Sequence, residues 1–156
     1  MADHAHQRIL EAVQTVLAGA GTAAGAHVFL DRVDELPATS LPAIDILGAD
    51  DTGEDAIEVL TMHFPATLQH AYSFPIACVC AQKTGAAKAA RNLAKQVEAA
   101  LLAASNTIAI GGVAIDMVMT GSDEVKDGAG AVPMFSVRQS WQAQYRTQGG
   151  APDAPL

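Results

Sequence analysis

Cysteine is scarce in this chain. Only Cys78 and Cys80 occur among 156 residues, and on an extended strand two such neighbours share a face with their α-carbons near the upper limit for a disulfide. They are expected as buried free thiols in a reducing compartment, without a redox or metal role. Basic residues are also few: 9 Lys+Arg stand against 17 Asp+Glu, a formal net charge of −8. That balance argues against nucleic acid as a partner of the outer surface, while leaving room for an acidic wall beside passing DNA. No apolar run approaches the roughly 20 residues of a membrane span, and the polar start Met1-Ala2-Asp3-His4 does not resemble a signal peptide. The protein is expected to be cytosolic when made, with no membrane partner.

Signatures of chemistry are missing too. There is no G-x-S-x-G elbow and no Gly-Lys-Ser/Thr phosphate loop. The glycines of Gly19 to Gly25 are out of step with a dinucleotide fingerprint and follow a helical pattern, which reads as a flexible turn. His70 falls on the strand face of Cys78 and Cys80, yet at roughly 3.3 Å per residue it lies more than about 20 Å from them, too far for a shared zinc ion. A packed or edge histidine is expected there. The acidic run Asp50, Asp51, Glu54, Asp55 around Gly53 lacks the alternate ligand spacing and closing glutamate of a calcium loop, and reads as a solvated hairpin tip. Asp123 and Glu124 have no evident apolar pocket to raise either pKa. No catalytic, cofactor-binding or metal residue is assigned, and the chain is read as not an enzyme.

What the chain does have is an apolar strand emptying into an alanine-rich helix. Leu68, His70, Tyr72, Phe74, Ile76, Cys78 and Cys80 alternate on one face of a strand, with a break or bulge expected at Pro75. Ala86, Ala89, Ala90, Leu93, Val97, Ala100, Leu101 and Ala104 form one helical stripe, for which Thr84 is the expected cap. Ala5 to Ala18 predicts a first helix with Ile9, Val13, Val16 and Leu17 inward. Short strands are expected at His27 to Leu30, Leu41 to Leu47 and Ile57 to Met62, with further alternation through Ile108, Ile110, Ile115, Met117 and Met119. Gly121 to Pro133 reads as a long polar loop suited to contact with a partner. Phe135 to Tyr145 is the cleanest one-sided strand. The pattern predicts an α+β domain over residues 1–148, with two main helices on one face of a mostly antiparallel sheet of four to six strands, and a flexible tail over 149–156. Val13, Leu17, Phe74, Ile76, Leu93, Val97, Leu101 and Trp141 are its expected core.

This order of elements, ending in a strand that closes on Tyr145, resembles the tail-terminator (minor tail protein U-like) family of long-tailed bacteriophages from Arg8 to Tyr145. The resemblance is carried by Arg8 with Ala12-Val13, Val28-Phe29 with Arg32, Leu41-Pro42-Ala43-Ile44, Val97-Glu98 with Leu101, and Gly121 with Asp123-Glu124. It implies a structural virion protein without cofactor that closes into a homo-oligomeric ring of six on the head-proximal end of the tail tube. Such a ring would stop polymerisation, contact the tail tube protein and the neck or head-completion proteins, and pass DNA only as cargo. Asp50, Asp51, Glu54, Asp55, Asp123, Glu124, Lys126, Asp127, Arg138 and Arg146 are the candidate ring, partner or lumen contacts. A head–tail joining protein and a small α+β enzyme or ligand-binding domain are the alternatives.

Overall fold

The computed structural model describes residues 4–48, 51–105, 109–110, 113–127 and 132–156. Two helices, α1 (Ala5–Gly19) and α2 (Ala86–Ala104), lie in one layer against one face of a sheet. Seven strands build that sheet: β1 (Val28–Leu30), β2 (Ala43–Ile46), β3 (Glu54–Val59), β4 (Thr67–Ala81), β7 (Asp116–Asp127), β8 (Met134–Gln148) and β9 (Ala151–Pro155). The path β1-β2-β4-β8-β7 is antiparallel except for β1 beside β2, and β5 (Ala109–Ile110) with β6 (Val113–Ala114) forms a separate small hairpin. The α+β class with two helices on one face of a mostly antiparallel sheet is what the periodicities predict. No described helix is long and apolar enough to cross a membrane.

The core follows the expected stripes. Val13, Leu17, Phe74, Ile76, Leu93, Val97, Leu101 and Trp141 are all buried in one cluster. Small side chains at Ala86, Ala90 and Ala94 let α2 sit close to the sheet, where the buried Gln139 of β8 donates from Nε2 to the Ala94 carbonyl at 2.9 Å and accepts from Trp141 Nε1 at 3.0 Å. The two cysteines remain buried thiols, and burial first, then its neighbour Cys80, pushes the Cys78 thiol up to about 12.

Pro75 leaves β4 itself unbroken; the interruption falls on its partner. β2 pairs with β4 from Val79 to Ile76 and β3 from Ser73 to Leu68, so both run along the same edge of β4. The ladder on that edge is interrupted between Ile46 and Glu54. There the Pro75 carbonyl accepts from the Leu47 amide at 3.1 Å, and the proline, which has no N–H of its own, asks for no acceptor on that side. The acidic run is therefore not a hairpin tip, because β2 and β3 do not pair with each other.

Four further expectations are corrected. Thr84 does not cap α2: Gly85 holds the cap position at φ +78° with no side-chain cap bond, a conformation that favours glycine. Gly121 to Asp127 is not loop but the second half of β7, paired with β8. A register shift between Met119 and Gly121 explains the misreading, since it reverses which alternate residues face the helices and so breaks the period of two. The predicted third strand lies at Glu54–Val59, starting three residues earlier than expected. Past Gly149, the segment expected to be loose turns at Gly149-Gly150 and runs back beside β8 as β9, with the Leu156 amide donating to the Arg146 carbonyl at 2.8 Å.

Candidate functional site

The residues nominated from the sequence divide into separate neighbourhoods. Asp51 turns inward: one oxygen takes a hydrogen bond from Arg138 Nη2 of β8 and the other accepts from the Gly48 amide at 3.2 Å. Glu124, on the helix-facing side of β7, meets Arg91 of α2 in a two-point pair at 2.7 and 2.8 Å, and the same guanidinium lies 5.5 Å over the Phe135 ring. Arg146 donates to Gln69 Oε1 at 3.0 Å on the open face of the sheet. Glu54, Asp123 and Lys126 are exposed. Asp127 ends β7 opposite Met134, its side chain outside the described residues, as is Asp50 altogether.

Asp55 has the most chemically loaded surroundings. Its carboxylate lies at the junction of α1, β3 and β4, where Oδ2 accepts from His6 Nε2 at 3.0 Å and from His70 Nδ1 at 2.7 Å. Because a carboxylate only accepts, each ring donates from the nitrogen facing it, and His70 Nε2 is hydrogen-bonded to the buried Thr147 hydroxyl at 2.7 Å. The His6 ring stacks on Tyr72 at 3.9 Å with planes 6° apart, and His70 stacks on Tyr145 at 4.7 Å, also 6° apart. His4 caps α1 by accepting the His6 amide on Nδ1 at 3.3 Å. Burial lowers the pKa of His6, with the Asp55 hydrogen bond and charge acting in the opposite direction. Burial raises Tyr72 and Tyr145, and the Asp55 charge adds to both. The second oxygen, Asp55 Oδ1, and the Tyr145 hydroxyl are buried with no hydrogen-bond partner among the described residues. An open cavity of about 460 Å³ adjoins the group, lined by His4, His6, Asp55, His70 and Thr147.

His6 and His70 were not singled out together by the sequence, because they lie 64 positions apart on two different elements. The available signal was a histidine on the inward face of each.

One further surface stands out. Beyond the reach of α1, the helix side of the sheet continues into β3 and the turn after it, where Ile57, Val59, Met62 and Phe64 are exposed, the last two at 93% and 99%. This apolar strip lies at one end of β4. At the other end, Gly85, Ala86, Ala87, Pro133 and Phe135 line a shallow groove of about 230 Å³, to which Gln82, Lys83 and Lys126 also contribute.

No family model matches the chain, and no curated protein matches it in sequence. Among solved structures, the fold is similar to a chain of the virion of a native gene transfer agent particle, with a TM-score of 0.52 and 14% sequence identity, over 90% of this chain and 95% of that one. At that identity the likeness is one of fold.

Proposed function

We propose that this chain is a structural virion protein that closes into a ring on the head-proximal end of a phage tail tube, stops tube growth and offers the head a docking surface. The observation that carries the reading is the shared fold over nearly the whole length of both chains with a component of a virion particle. The surface supports it. A ring needs two different complementary patches on each copy, one meeting the other on the next copy around the circle. The apolar strip at Met62 and Phe64 and the groove beside Ala86 and Phe135 lie at opposite ends of β4, and the apolar part of the groove, rimmed by Lys83 and Lys126, offers the strip a counterpart. An exposed apolar strip of this kind marks an interaction site in a soluble protein.

On this reading a wall facing DNA is carried by Glu54, Glu58, Asp116 and Asp123, exposed on the open face of the sheet. Asp51 and Asp55 are not part of it, because their carboxylates are held by Arg138 and by His6 and His70. The test is electron microscopy of the purified protein alone and mixed with tail tubes. Rings with six-fold symmetry seated at one tube end are expected. Rings that bind only neck components would reassign the chain as a head–tail joining protein, and absence from both the tail end and the neck of assembled particles would remove the virion reading.

A further inference from the structure

We propose that His6, Asp55 and His70 form a binding site for one divalent transition-metal ion of the zinc type. The donor set is two imidazole nitrogens and one carboxylate oxygen, with His6 Nε2, Asp55 Oδ2 and His70 Nδ1 all within 4.8 Å of one another. Three such ligands with a fourth position left open is a recurrent zinc arrangement, with metal–nitrogen distances of about 2.0–2.1 Å. Tetrahedral ligands at that radius stand about 3.3 Å apart, so the separations of 3.0 and 2.7 Å to the carboxylate need to open by about 0.3–0.6 Å, while the two histidine nitrogens, within 4.8 Å of each other, move together to the same spacing.

The surroundings suit an ion in two further ways. The distal nitrogen of a metal-bound histidine ordinarily donates to an oxygen that fixes the ring. Binding moves the His70 proton from Nδ1 to Nε2, which then donates to the fully buried Thr147 hydroxyl 2.7 Å away, and moves the His6 proton from Nε2 to Nδ1; both histidine rings are clamped flat against tyrosines. Asp55 Oδ1 is buried with no hydrogen-bond partner among the described residues, which leaves it free to join Oδ2 on the ion in a chelating carboxylate. The adjoining cavity gives access and room for a fourth ligand, either water or His4, whose ring centroid is 4.4 Å from that of His6. The ligands come from α1, β3 and β4, with Thr147 on β8. A bound ion therefore ties the start of the first helix to three strands, whether or not the protein forms rings.

The experiment is calorimetric titration of the chelator-treated full chain with Zn²⁺, with Co²⁺ as a second probe. Expected are one ion per chain, a higher melting temperature with metal, and visible absorption of four-coordinate cobalt. Asp55→Asn and His70→Gln should each weaken binding by more than about tenfold, and Thr147→Val by about tenfold, the usual effect of removing a ligand's supporting partner. His27→Gln and His63→Gln should bind as the wild type does. If the core variants fail to fold, His6→Gln at the half-exposed helix start, together with zinc-induced shifts of the His6 and His70 imidazole resonances in the unaltered chain, decides the matter. No zinc uptake at micromolar concentrations, or uptake that moves neither resonance, overturns the proposal.

Discussion

Trp141 shows how much one side chain carries here. It is fully buried between sheet and helices, and its indole N–H ends a relay that runs through Gln139 to the Ala94 carbonyl in the middle of α2. Removing it opens a large cavity and leaves the Gln139 carbonyl oxygen without its donor, both of which destabilise. Trp141→Ala should lower stability by about 3–5 kcal/mol in chemical denaturation. A midpoint and slope like the wild type's would show that the indole is not part of the core.

At the scale of elements, the long β4 is held on one side by an unbroken β8 and on the other by β2 and β3 in succession. The chain between β2 and β3 has to pass the Tyr72 ring closely, and Gly53 is where it does so: a Cβ there would fall inside the phenol. That phenol is itself buried and stacked on His6, so it has little room to yield. Gly53→Ala should therefore cost about 1–3 kcal/mol as an overpacked contact. It should also disturb the His6 imidazole resonance, a combination that NMR with thermal melting reads directly. An unchanged melt would mean that the strand connection relaxes freely.

For the whole molecule, the question is what covers the apolar strip at the β3–β4 turn. Exchanging Met62 and Phe64 for serine removes two side chains that touch little in the single chain, with exposures of 93% and 99%. Unfolding stability should stay within about 1 kcal/mol of the wild type, as for two surface substitutions, while the proposed ring formation or tube-end binding is lost in sedimentation and microscopy. Rings that form as before would place the subunit contact elsewhere on the surface.

The two helices, the inward face of β4, the one-sided β8 and the core around Phe74, Val97 and Trp141 were legible in the sequence, because burial of one face imposes a period of 2 or 3.6 that needs no partner to be recognised. Legibility failed where pairing rather than burial sets the structure. The distal half of β7 is exposed and polar, and only its hydrogen bonds to β8 make it a strand. Asp51 became a partner of Arg138 across 87 positions. His6, Asp55 and His70 were brought onto one carboxylate by the meeting of a helix start with two strands. Periodicity records which side of an element avoids water. Which polar groups then face one another depends on strand register and on how the layers cross, and these are decided only when the chain closes on itself.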